Sequence, residues 1–164
     1  MNIIKLDQRF GKTAQNKLHL AKNKTAEGAL ACLETFYYAF NNKDIKTFKS
    51  IWLKNDLIQL NNPLGGIIYG IDKIVELYNN IFNGESDVWV EFHDIIAFEG
   101  PDMITFAGRE SGEFTKDNKF LALEIRTTRI LQYSPSDEQW YLIHHHGSID
   151  DAELLKTYQK AVSK

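Results

Sequence analysis

The sequence predicts an α+β fold: a cone-shaped, curved antiparallel sheet wrapped around N-terminal helices, with one extra helix at the C-terminal end. Three observations predict it. Apolar residues in the first half recur with a helical period. From about residue 88 the period changes to two. The joints between the later segments are only a few residues long, which suits consecutive antiparallel strands. Helices followed by strands is the pattern in which helices gather on one face of an antiparallel sheet.

The elements follow in order. Residues 1–24 read as a basic arm, with Lys5, Arg9, Lys12, Lys17, Lys22 and Lys24 against Asp7. Such an arm either meets an anionic partner, stays solvated or docks on the acidic remainder of the chain. Phe10 is its one aromatic residue and the body has no basic stripe, so no nucleic-acid partner is expected. Residues 25–42 predict a helix capped by Thr25, with Leu33, Phe36, Tyr37 and Phe40 on one face. Asp44 opens a short second helix. "LIQLNNPLGG" reads as a strand entering a turn marked by Asn62, Pro63, Gly65 and Gly66. "GIDKIVELYNNIFNG" predicts a third helix with Ile71, Ile74, Val75, Tyr78 and Phe82 on one side and Gly84 as its stop. Four alternating segments, 88–98, 103–114, 120–133 and 139–148, then predict an antiparallel meander. The end reads as a helix, with Ser148 and Asp151 spaced like a capping box. The organisation expected is an arm over 1–24, a domain over 25–149 and a C-terminal helix over 150–164.

Composition bounds the function. A 164-residue chain with 43% hydrophobic residues and net charge −3 suits one globular unit. The single cysteine, Cys32, lies in an apolar stretch and reads as a reduced core thiol. No run of about 18 apolar residues is present, so no membrane partner is expected. The start lacks a long apolar run with a cleavage site, and the expectation is a cytoplasmic protein.

Several motifs in this order carry a resemblance: "NNKD" between the first two helices, "NPLGGIIYGID" before the third, "TTR" in the third of the four strands, and "W…HHHGS" in the last. The chain resembles the nuclear transport factor 2-like superfamily over about residues 25–149. It looks most like the SnoaL-like group and the association domain of calcium/calmodulin-dependent protein kinase. The resemblance implies a cystatin-like α+β barrel with a ligand pocket, commonly assembled as a homodimer or ring. It does not imply one reaction, because members include isomerases, dehydratases, cyclases and non-catalytic modules.

Residue by residue, the resemblance implies the following. In ketosteroid isomerase a carboxylate just before the proline is the general base; Asn62 stands there, and an amide cannot take that proton. The isomerase's helix-one tyrosine is matched by Phe36, with Tyr37 adjacent. In the kinase association domain, arginines on successive strands line the pocket. Arg129 and Arg109 match two of them, and Gly147 stands at the third. Two pocket arginines imply an anionic, carboxylate-bearing ligand. The alternative is an ion pair with Glu34, Glu110, Glu113 or Glu124, or simple exposure.

The three consecutive histidines alternate across a strand. His145 is expected in the pocket wall. His144 and His146, with Trp140 and Leu142, are expected on the back of the sheet, beside Ile130 and near Glu124, Arg126 and Thr128, where a homodimer would form. An H-x-H pair needs a third converging ligand to hold a metal, Glu124 or His93 being the options, and no metal is expected. His93 or Asp94, whichever faces inward, could act as an acid or base. Ser111 and Ser148 lack a suitably spaced base for a nucleophilic triad. "GGIIYG" lacks the lysine of a phosphate loop. The reading is a binding or assembly module for a small anionic organic molecule, with Arg109, Arg129, His145, Asn62 and Tyr37 as ligand-binding residues and no cofactor. The alternative is a SnoaL-like isomerase, cyclase or dehydratase using a pocket histidine or aspartate.

Overall fold

Thr25 opens the first long helix: its side chain accepts from the Gly28 N–H and ties down one of the free donors of the first turn. In this computed structural model, residues 2–63 and 65–162 are described. Met1, Leu64, Ser163 and Lys164 lie outside them, and the last two residues of the expected C-terminal helix fall among these.

The chain runs β1 (Asn2–Leu6), a single 3-10 turn, α1 (Ala26–Asn41), α2 (Ile45–Ser50), β2 (Gln59–Asn61), β3 (Ile68–Tyr69), α3 (Ile71–Phe82), β4 (Val88–Glu99), β5 (Met103–Lys116), β6 (Lys119–Ser134), β7 (Gln139–Ser148) and α4 (Ala152–Val162). One seven-stranded sheet has the order β1-β4-β5-β6-β7-β2-β3. Its pairs are antiparallel except β2 on β7. The expected α+β class and curved sheet are therefore present, and the sheet is open, ending at β1 and β3.

Residues 1–24 are more than an arm. β1 pairs with β4 as an edge strand, and Phe10 makes a backbone bridge to Phe92 on the same edge. Lys17 pairs with Glu34, Arg9 with Glu91 and Lys24 with Asp102, so the basic segment docks on acidic groups of the body. β3 is a short strand that the alternation signal is too brief to show. Asp151, not Ser148, caps α4: its carboxylate accepts from the Leu154 N–H at 2.7 Å, while Ser148 is still in β7. Among the described residues no helix is long and apolar enough to cross a membrane.

α1 lays Leu33, Phe36, Tyr37 and Phe40 against the concave face of the sheet. Phe48 of α2 and Tyr78 of α3 meet at 4.2 Å between ring centres and extend this aromatic floor. Each fully buried side chain of this size adds about 1.5–3 kcal/mol. Cys32 is part of this core, and burial pushes its thiol up to about 12, as an inert core residue requires.

Two β-bulges decide which side chains look inward. In β4, Asp94 and Ile95 together oppose Gly108, and Asp94 has φ of 52°. Inward parity moves from Val90 and Phe92 to Ile95 and Ala97, leaving His93 and Asp94 both off the core. A side chain on Gly108 would bring its Cβ to 2.6 Å from the His93 carbonyl, so the bulge needs glycine opposite it. In β7 the register shifts at Ile143. Trp140 and Leu142 therefore lie in the core together with His145 and Gly147, and the expectation that they form an outer patch is corrected. The extra residue returns the inward face to both ends of the strand.

Candidate functional site

The inner site is built on α1, β5, β6, β7 and α3. Arg129 projects inward from β6 and is 1% exposed. Its Nη2 donates to Glu110 Oε1 at 2.6 Å, and its Nε to the Tyr37 hydroxyl at 3.0 Å. The Tyr37 hydroxyl donates to the same Glu110 oxygen at 2.6 Å. Thr127 donates to the other oxygen at 2.9 Å. The guanidinium carbon lies over the Phe36 ring, 3.5 Å from its centre. Burial works against the Arg129 charge, but Tyr37 and Glu110 outweigh it and hold the cation firmly protonated. The same burial lifts the Tyr37 phenol far above the ordinary range, so it stays neutral.

Two buried polar atoms in this cluster, Arg129 Nη1 and His145 Nε2, make no protein hydrogen bond of good geometry, although the Tyr78 hydroxyl lies close to the Arg129 guanidinium. Both residues line one cavity of about 30 Å³, whose walls also include Phe36, Phe40, Tyr78 and Tyr158. His145 is 3% exposed, and its Nδ1 is 3.4 Å from the Tyr78 hydroxyl. Burial first, and then the Arg129 charge, push its pKa well below that of a free imidazole. It is therefore neutral at pH 7. If Nδ1 carries the proton toward Tyr78, Nε2 offers a lone pair to the cavity; in the other tautomer Nε2 is a donor.

The residues singled out from the sequence divide as follows. His145 and Arg129 share this cavity, and Asn62 lies in its wall. Tyr37 sits one layer behind, its hydroxyl committed to Glu110 and Arg129. Arg109 is exposed on the opposite face of β5, directly across from Arg126. The shared arginine pocket expected from the resemblance is thus corrected. Arg129 has Glu110 as counter-ion, and Arg109 looks outward because Glu110 next to it points in. At the third arginine position of that pattern a side chain would be crowded: a Cβ on Gly147 would lie 3.1 Å from Pro63 Cδ and 3.2 Å from Ile125 Cγ2.

The outer face holds what the sequence left unassigned. Neither His93 nor Asp94 faces inward. His93 Nδ1 is 3.0 Å from Asp94 Oδ2, and its Nε2 is 3.0 Å from Ser111 Oγ. A serine therefore does have a base beside it, which residue counting missed because the β4 bulge brings the three together. The N–H groups next to Ser111 belong to a strand laddered on both sides. His93, Ser111, Arg109 and Arg126 border a groove of about 540 Å³, which Glu124, Asp150 and Asp151 also line. Arg126 is paired with Asp150 there. His146 is exposed opposite Thr128, and His144 opposes Ile130. Among the described residues no three histidine, cysteine or carboxylate side chains converge as a metal site.

An open sheet over helices, enclosing a small polar-ended cavity, defines a ligand-pocket fold of the kind the sequence resembles. The chain belongs to the SnoaL-like domain family, whose profile matches residues 29–152. Solved structures share the fold. A ketosteroid isomerase-like protein from Erwinia carotovora atroseptica is 18% identical, with TM-score 0.63, covering 75% of this chain and 94% of its own. A candidate dehydratase of the NTF2-like family from Streptomyces avermitilis is 18% identical, with TM-score 0.62 and coverages of 77% and 96%. A candidate calcium/calmodulin-dependent protein kinase II association domain from Xanthomonas campestris is 16% identical, with TM-score 0.63 and coverages of 85% and 97%. No curated protein matches the chain significantly. The superfamily read from the sequence is thereby borne out.

Proposed function

We propose that the inner cavity binds a small, uncharged organic molecule through a carbonyl or hydroxyl oxygen. One observation carries this reading: Arg129 Nη1 and His145 Nε2 are buried, make no protein hydrogen bond of good geometry and belong to one otherwise largely apolar cavity. A buried donor left unmade costs about 1–3 kcal/mol, which a ligand oxygen restores. Because Glu110 already neutralises Arg129, a carboxylate ligand would bring an uncompensated charge into the core. The anionic ligand expected from two pocket arginines is therefore replaced here by a neutral one. Titration of the protein with benzamide and benzoate, read from the ring nitrogens of His145, tests this. Benzamide should shift His145 and bind about ten-fold or more tightly than benzoate. Preferential binding of benzoate would overturn the choice of ligand class.

The unpartnered Nε2 of His145, in one cavity with Arg129 Nη1, favours a second reading, proton-transfer chemistry. With Nδ1–H directed at Tyr78, Nε2 can take a proton from carbon next to a carbonyl whose oxygen rests on Arg129 Nη1. Return of that proton to a departing β-hydroxyl would complete a dehydration. Asn62 plays no part as base. A β-hydroxy ketone assayed by enone absorbance should show turnover that disappears in His145→Gln; equal rates with and without protein would exclude this chemistry.

We also propose a homodimer through the outer face of the sheet, which the described helices leave uncovered. Its support is now the half-buried Ile130 and Ile143 beside His144, since Trp140 and Leu142 are in the core. Light scattering of a monomer at micromolar concentration would sink it.

A further inference from the structure

The inner cavity is small because the chain fills its own mouth. α4 follows directly from β7 and carries Tyr158 into the cavity wall. The Tyr158 ring is 5% exposed and meets Phe114 edge-on, 5.0 Å between centres. It is the one buried residue of an eleven-residue helix. Leu154, Leu155, Ala161 and Val162 also pack against the core but are only partly buried, and the cap from Asp151, the exposed Arg126–Asp150 pair and the Lys156–Glu153 pair lie at the surface. A helix this short is marginal by itself, so its position depends on what it buries. Segments with few buried apolar groups open at low free-energy cost.

We propose that Tyr158 closes the binding cavity and sets the size of what enters it: an uncharged, ring-bearing molecule replaces its phenol ring as α4 moves aside. This rests on the reading of the cavity as a binding site. The argument is one of volume and chemistry. A space of about 30 Å³ holds a water, not an organic ligand, so a ligand must displace something. Phe36, Phe40, Tyr78 and Phe82 form a close-packed aromatic cluster on α1 and α3, whose members are each buried. Among the described residues Tyr158 makes one aromatic ring contact, with Phe114. The phenol it inserts is itself neutral, since burial raises its pKa, and it shows the class of group that the mouth accepts.

The test uses the full chain and p-cresol, the free equivalent of the tyrosine side chain. In the wild-type protein, p-cresol should shift the His145 ring nitrogens and raise hydrogen exchange of the α4 amides about ten-fold or more at saturation. Tyr158→Ala should bind p-cresol about ten-fold or more tightly, because no ring has to leave. If p-cresol shifts His145 while α4 exchange is unchanged, the closing role falls and the binding site stands. If His145 is unmoved in both proteins, the binding site falls and the closing role with it. The wild-type exchange measurement decides the matter even if Tyr158→Ala does not fold.

Discussion

The two faces of β5 and β6 carry nearly the same chemical groups and use them in opposite ways. Inside, Arg129, Glu110 and Thr127, with His145 from β7 beside them, form a buried cluster in which the Arg129 and Glu110 charges are paired. Outside, Arg109, Arg126, Glu124, Ser111 and His93 border a groove open to water. The difference is one of environment rather than residue type. In a low-dielectric interior an unpaired charge is expensive, so the inner set is tightly matched. At the surface, water screens the groups and mismatches are tolerated, including two arginines directly opposite each other.

The largest test of this contrast removes one partner from each face. Glu110→Gln leaves the Arg129 cation buried without its counter-charge and should destabilise the fold by about 3–5 kcal/mol. Asp150→Asn on the exposed Arg126 pair should cost about 0–1 kcal/mol. Urea denaturation of both variants measures the ratio. Comparable losses would mean that the inner pair is hydrated and that the face distinction is false.

Unlike the edge strands β1 and β3, the order of the four helices and the four long strands, the helix starts at Thr25 and Asp44 and the inward position of His145 were legible from the sequence. So was the identity of Arg129 as a residue facing the helices. The wrongly assigned faces of β4 and β7 trace to the two bulges. Alternation assigns Trp140 and Leu142 to the same side as His144, and this fails because Ile143 is an extra residue with no glycine or proline to mark it. Asp94, in positive φ opposite Gly108, left a fainter trace, since aspartate tolerates that conformation better than most residues. Arg109 was misplaced by a different route. A twenty-residue spacing between two arginines cannot say which neighbour, Arg109 or Glu110, points inward, and Glu110 had been named only among the candidate counter-ions.

A pH series sharpens the contrast at intermediate size. Unfolded, His145 takes up a proton near pH 6.5. Folded, burial and Arg129 delay that uptake to a much lower pH. Between the two values the unfolded chain binds more protons, so stability falls as pH falls below about 6.5. The slope from this residue is at most about 1.4 kcal/mol per pH unit. His145→Gln should flatten the decline between pH 6.5 and 5 by up to that amount. Superimposable pH profiles for the two proteins would show that the imidazole is not held neutral by the inner cluster.

The smallest effect belongs to the outer arginines, and its sign is the informative part. Arg109 and Arg126 are cross-strand partners, and like charges placed directly opposite destabilise a sheet. Arg126 relieves part of this by reaching Asp150, whereas Arg109 makes no ion pair among the described residues. Arg109→Glu turns the repulsive pair into an attractive one and should stabilise the protein by about 0.2–1 kcal/mol. Glu110 beside it is shielded on the other face, so the new carboxylate should leave the inner cluster unchanged. As a surface effect it should shrink when salt is raised from about 0.05 M to 1 M, where the screening length falls to about 3 Å. A ligand arginine in a recessed pocket would behave otherwise: its reversal to glutamate would bury a carboxylate and lower stability at every salt concentration. Destabilisation of Arg109→Glu that persists at 1 M salt would therefore return Arg109 to the interior and remove the division between the two faces.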